Sequence, residues 1–404
     1  SEDSRCLSLS ILGTSMSRVL ATAAVLAHRV WIVASEGSVS LCGKTYAHTW
    51  KTKASMSTAR SDMTATTVKD SIYLLGGCQQ DQEWTLGAYP SYMCGGGLAS
   101  AVSAAATVYK PASDEHTPLP DAPRARYRHA AAEVGGKIYL FGGTNASGGI
   151  AQHVDVYNIA AKSWSTLPDP FLDATTDNSA FAYGGKIYVV GGYDAGFAAK
   201  KDTFVYDPAK SGSAAWSQGP ELLQGRGDFS AVVVGSIALA LGGFHEGNNY
   251  EQPLASLERL DVEAGATSWV ARKAMSVARG DKAVAVANGA LHVIGGEGKT
   301  ENGHSVPLQD VEVFHPDCNE WQAGGSIPSK RFRFTAAALN QSIFIFGGQG
   351  YLEGTYGTVG SKYPVMSIVE EYSETVEEPV PTDVAIAKPA VGVVAMLLGL
   401  AASA

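Results

Sequence analysis

Arginine carries the most regular chemistry in this 404-residue chain. Arg60, Arg126, Arg226, Arg279 and Arg331 each stand sixteen residues before the first glycine of a Gly-Gly pair, and Thr175 takes the remaining such position. Two residues further on come Asp62, Arg128, Asp177, Asp228, Asp281 and Arg333, all charged. Residues two apart on a strand share a face, so the spacing predicts a double ring of seven arginines, four aspartates and one threonine, a formal +3 in a chain of −9. A guanidinium is a planar fork matched to carboxylate, sulfate or phosphate. One reading is an anion-receiving mouth, with Arg128 and Arg333 as the foremost ligand contacts because their own repeats supply no Asp. The other is that Arg and Asp of neighbouring repeats pair around the ring and hold it together.

The glycine pairs that set this ruler end six short apolar runs, among them Ile72-Tyr-Leu-Leu-Gly-Gly77, Lys137-Ile-Tyr-Leu-Phe-Gly-Gly143 and Ile343-Phe-Ile-Phe-Gly-Gly348. First glycines fall at 76, 142, 191, 242, 295 and 347, in steps of 66, 49, 51, 53 and 52 residues. Such a period marks a repeat architecture. Each unit offers an Ala/Val-rich strand, the strand ending in the pair, a strand such as His153-Val-Asp-Val-Tyr157, and a strand bearing Trp. Trp50, Trp216, Trp269 and Trp321 precede the next pair by 26 residues, Trp164 does so by 27, and His116 takes the place once. No Trp strand follows Tyr372, and the segment around Trp50 has no other home. We expect it to complete the last unit.

The glycine pair, the aromatic that follows it and the later Trp resemble the kelch-repeat family over residues 45–378. The resemblance implies an all-β fold, a six-bladed β-propeller whose ring is closed by the N-terminal strand completing the last blade. It also implies a protein- or glycan-binding module that takes acidic segments through arginines early in each repeat. Copper-radical sugar oxidases and sialic-acid mutarotases are built from similar blades and give the enzymatic alternative. The adjacent Tyr-His pair of the oxidases is missing, and Glu246 and Glu297 are the acids available to a mutarotase. No triad, phosphate loop or dinucleotide fingerprint is present. The expectation is therefore a non-catalytic module without metal or cofactor, working alone or within a larger assembly.

Composition fits that picture: 17% charged residues and 45 glycines suit a turn-rich β protein, and the net negative charge gives no reason to seek nucleic acid. The loops after the pairs carry Tyr89, Tyr250 and Tyr351 as candidate contacts on the ligand face. Cys78 and Cys94 flank the first loop and form one expected disulfide, with Cys42 and Cys318 the other. Asn145 and Asn340 begin glycosylation sequons. Residues 1–44 form an N-terminal extension with a signal-like apolar run from Val19, and 379–404 a Pro/Ala-rich linker and apolar tail that resembles a GPI-anchor signal. Together these predict a secreted or surface-tethered glycoprotein; an intracellular scaffold is the alternative.

Overall fold

The computed structural model describes residues 45–83, 94, 99–171, 173–245, 252–299, 305–350 and 362–377. Within them lie six four-stranded antiparallel sheets, the blades of a β-propeller. Blade two orders Ala130–Val134, Lys137–Phe141, Asp155–Asn158 and Ser163–Thr166 from the inside outward, and blade three orders Ser179–Tyr183, Lys186–Val190, Thr203–Tyr206 and Trp216–Gln218. Blade six takes its outer strand from the other end of the chain: Thr45–Lys53 pairs with Val369–Glu377, Trp50 opposite Tyr372. The N-terminal signal-like segment, the C-terminal tail, Cys42, Tyr89, Tyr250 and Tyr351 lie outside the described residues.

The apolar runs are continuous because both faces of each sheet are covered. In blade two, Ile138 and Leu140 pack toward blade one with Leu75 and Ala106, while Tyr139 and Phe141 pack toward blade three with Ile187 and Val189. Alternate side chains thus feed two different cores. Similar cores fill the remaining junctions, including one in which Ile72, Leu74 and Tyr109 of blade one meet Phe344 and Phe346 of blade six. The repeated aromatic and Trp lie side by side within their blade, 5.0 Å between ring centroids for Tyr157 and Trp164 and for Trp50 and Tyr372.

The glycine pair is where one blade docks on the next. Both members have positive φ in every blade. The second donates its N–H to the main-chain carbonyl of the following blade's sixteen-before residue, as from Gly143 to Thr175 at 2.9 Å and from Gly348 to Arg60 at 2.9 Å. A Cβ on Gly142 would lie 2.1 Å from the Thr175 carbonyl oxygen. What approaches the glycine most closely is therefore backbone, as well as the side chain a position beyond the ring.

Candidate functional site

The two charged positions expected to share a face are separated by the backbone. Asp62, Arg128, Asp177, Asp228, Asp281 and Arg333 all have left-handed φ, between 48° and 56°. A left-handed residue ends extended geometry, so the strand rule does not carry from one position to the other. The sixteen-before side chains turn into the body of the blade, and only the second set lines the centre. The mouth charge is corrected accordingly: two arginines against four aspartates give a formal −2 rather than +3.

Arg60, Arg126, Arg226, Arg279 and Arg331 are 0–2% exposed, which removes them as direct ligand contacts. Each donates Nη1 to the carbonyl of the first glycine in its own blade, at 2.9 to 3.2 Å. Nη2 reaches the third strand: Asp155 for Arg126 at 2.5 Å, Glu312 for Arg279 at 2.8 Å, Glu258 for Arg226 and Glu370 for Arg331. Arg60 finds Thr107 Oγ1 there instead, at 3.1 Å. Burial pulls its guanidinium down to about 10, and Asp121 offsets only part of that. Burial lowers the other four as well, opposed by their carboxylates where the acid is near. Combined with the carbonyl of the same residue, which binds the preceding blade's glycine pair, each arginine ties three pieces of backbone together.

The inner ring is also internally paired. Arg128 Nη1 donates to Asp177 Oδ2 at 3.3 Å and its Nε lies 3.8 Å from Asp62, while Arg333 Nε donates to Asp281 at 3.1 Å. These pairs cross from blade to blade, so the neighbour-pairing alternative describes Arg128 and Arg333 better than an open anion mouth. The main chain repeats the motif: Asp62 N–H binds the Arg333 carbonyl at 2.9 Å, Arg128 binds Asp62, Asp177 binds Arg128, Asp281 binds Asp228, and Arg333 binds Asp281. Three acids in succession, Asp177, Asp228 and Asp281, are left with too few cations. Burial, then the Asp177 carboxylate, pushes Asp228 up to about 8, and burial followed by the Asp228 carboxylate raises Asp281 well above the usual carboxylate range. Tyr193 donates its hydroxyl to Asp228 at 3.0 Å. Lys282, next in the chain to Asp281, has its Nζ buried with no hydrogen-bond partner among the described residues, and burial lowers it to about 7.

This ring gives the protein a pH dependence. A folded-state pKa of about 8 for Asp228, against about 4 in the unfolded chain, means that the folded protein keeps a proton the unfolded one releases. The contribution is fully present below about pH 4 and is lost as pH rises through about 8. Lys282 acts in the opposite sense between about 7 and 10.5, where the unfolded chain holds the extra proton. From pH 5 to 7 the acids are opposed by His129, which burial lowers to about 3 and which the unfolded chain protonates below about 6.5, so in chemical denaturation the difference between variants, rather than the wild-type slope, isolates Asp228. Asp228→Asn will reduce the fall of stability with pH there by about one proton's worth of slope; an unchanged slope would show that Asp228 ionises normally.

Loops gather on the side where the inner strands begin. Cys78 and Cys94 form the expected disulfide, Cα atoms 5.7 Å apart. Gln82–Glu83 of that loop pairs with Lys362–Tyr363 of the blade-six loop, and Asp81 Oδ1 accepts the Val365 N–H at 2.8 Å. Cys318 is disulfide-bonded too. Asn145 lies in the blade-two loop, where its Oδ1 accepts the N–H groups of Ser147 at 2.9 Å and Gly149 at 3.0 Å, and Asn340 is exposed at a hairpin on the far side. Glu297, the acid considered for a mutarotase, is buried and accepts from Lys299 at 3.1 Å. Among the described residues no group of three or more His, Cys, Asp or Glu is placed to hold a metal ion.

A family model of the KLHDC2/KLHL20/DRC7 Kelch-repeats domain matches residues 128–348, more than half of the chain. The chain belongs to the kelch-repeat family. Kelch relatives include human Kelch-like protein 34, 27% identical over 48% of this chain and 30% of that protein, and Beta-scruin of Limulus polyphemus, 25% identical over 74% of this chain and 31% of that protein. This kelch chain thus spans about three tenths of the length of either relative. The solved structure of YjhT shares the propeller fold at a TM-score of 0.61, with 18% identity over 81% of this chain and 99% of that one.

The carboxylates that complete the arginine ties were missed in the sequence, although a signal existed. Asp155, Glu312 and Glu370 each stand two residues before the third-strand aromatic, Tyr157, Phe314 and Tyr372, and Glu258 stands two before Leu260.

Proposed function

We propose that this kelch propeller is a non-catalytic recognition module that presents its loop face to a protein partner outside the cytosol. The observation that carries the reading is the pinning of that face: loops from the first and last blades are joined by a two-stranded sheet and stapled by Cys78–Cys94. A surface ordered in advance spends less of its binding energy on ordering. The disulfides support an oxidising compartment. An acidic partner draws no support from the ring, whose formal sum is negative, so selectivity is assigned to the loops. Phe197 and Leu223, 45% and 58% exposed on the loop side of blade three, supply apolar contact area.

The test is quantitative capture of partner proteins on immobilised protein. Phe197→Asp with Leu223→Asp should lower recovery of a specific partner by about tenfold or more. Lys162→Glu with Lys210→Glu, on the turns of the opposite side, should not. Equal recovery by all three proteins would remove the loop-face assignment.

A further inference from the structure

We propose that the loop side of blade three holds a binding site for a guanidinium group. Five blades fill the position themselves, and blade three does not. Its sixteen-before residue is Thr175, whose hydroxyl donates to the Gly191 carbonyl at 2.7 Å. The acid is missing as well. Phe204 lies opposite Val189, the register position at which Asp155 lies opposite Leu140. Both halves of the buried pair have been exchanged for smaller or apolar groups, and a cavity of about 420 Å3 stands there, bordered by Thr175, Gly191, Asp202 and Phe204. That volume falls within the roughly 300–1,000 Å3 of small-ligand sites.

The lining retains what a guanidinium uses elsewhere in this molecule. Arg60 Nη1 donates to the carbonyls of Gly76 and Ala105, the latter also accepting the Gly76 N–H at 3.0 Å. The Gly191 and Asp202 carbonyls are their counterparts, with Asp202 accepting the Gly191 N–H at 2.9 Å. Each carbonyl has a second lone pair. Charge favours a cation, since the lining residues include Asp173, Asp194 and Asp202 against Lys200 alone, and Lys200 lies 3.9 Å from the Asp194 carboxylate. Phe171, stacked on Trp216 at 4.3 Å, and Phe204, edge to face with Phe171 at 5.2 Å, give the cavity an aromatic wall of the kind a guanidinium packs against. A planar fork can span two carbonyls and lie on a ring at once, which the compact lysine ammonium cannot. Asp173 and Ala195 are exposed at the rim, so the cavity is reached from the loop face.

This inference rests on the binding-module reading only for a protein source of the guanidinium, and the probes test the site without a partner. N-acetyl-arginine amide, its citrulline counterpart and N-acetyl-lysine amide are titrated by ligand-observed NMR. The arginine amide should bind at least about tenfold more tightly than citrulline, which keeps the shape and loses the charge, and more tightly than lysine. Thr175→Arg should abolish the signal by filling the site from within. Ala195→Trp, at the exposed rim, should reduce it severalfold and serves if the first variant does not fold. An arginine flanked by further residues binding more tightly than the amide assigns the source to a protein, and the reverse order assigns it to a small guanidino compound. Equal binding of arginine and citrulline amides, or undiminished binding by either folded variant, overturns the proposal. Neither result bears on the Phe197 and Leu223 experiment, so the two readings fail separately.

Discussion

Arg226→Ala will cost about 3–5 kcal/mol of folding free energy, read by chemical denaturation, because it breaks a buried ion pair from one side. Arg226 has no exposed surface. It donates to the Gly242 carbonyl at 3.0 Å, to Ser256 Oγ at 3.1 Å and to Glu258. Alanine leaves Glu258 buried at 2% exposure, with the Leu223 N–H at 2.7 Å as its remaining donor among the described residues. It also leaves the first glycine's carbonyl without the arginine on which its strand depends. The loss should not be confined to blade four, since the Arg226 carbonyl accepts the Gly192 N–H of blade three at 2.8 Å. An arginine kept for a ligand would behave oppositely: its removal would spare stability and weaken binding.

Gly142→Ala should destabilise by about 2–5 kcal/mol, adding a left-handed penalty of roughly 1–2 to an overpacking cost of roughly 1–3. The molecule supplies its own control. Gly135 has the same φ of +62° as Gly142, yet a Cβ there would meet nothing within 4 Å. Gly135→Ala therefore carries the backbone term alone, about 1–2 kcal/mol. The difference between the two variants measures the close approach of the Thr175 carbonyl and the Asn178 amide, 2.1 and 2.8 Å from the added carbon. Equal losses would mean that the glycine pair is required only for its dihedrals.

How much of this was legible in the sequence follows from which distances are constant. The second strand and the inner strand are joined by a tight hairpin, so the count from the glycine pair back to Arg126 is the same sixteen residues as to Arg331. The repeat, the blade number and the pairing of Trp50 with Tyr372 could be read from such offsets. The carboxylates lie across loops of unequal length: Asp155 is 29 residues from Arg126, while Glu370 is 39 from Arg331. No fixed offset from the glycine pair reaches them, and the one that does runs from the third-strand aromatic, so counting from the glycines left the arginines without their true partners. A second error came from the backbone. Asp62 and its counterparts carry positive φ, which Asp tolerates but Arg128 and Arg333 do not advertise, and an unbroken strand was assumed where the chain turns. The Cys78–Cys94 bridge was accessible because both residues bracket one loop. The blade-three cavity was hidden in the single Thr175 among arginines, whose meaning depends on Phe204 standing across the sheet.

The central claim is that the repeated arginine and its third-strand acid form one internal unit of the blade. A double-mutant cycle on blade four tests it most directly, using Arg226→Thr, Glu258→Phe and the two combined, which copies the pair found in blade three. Each single change should cost about 3–5 kcal/mol by stranding a buried charge. The combined protein should be more stable than the sum predicts by at least about 2 kcal/mol. Losses that add within about 0.5 kcal/mol, or an Arg226→Thr protein as stable as the wild type, would contradict the account and return the arginines to the ligand.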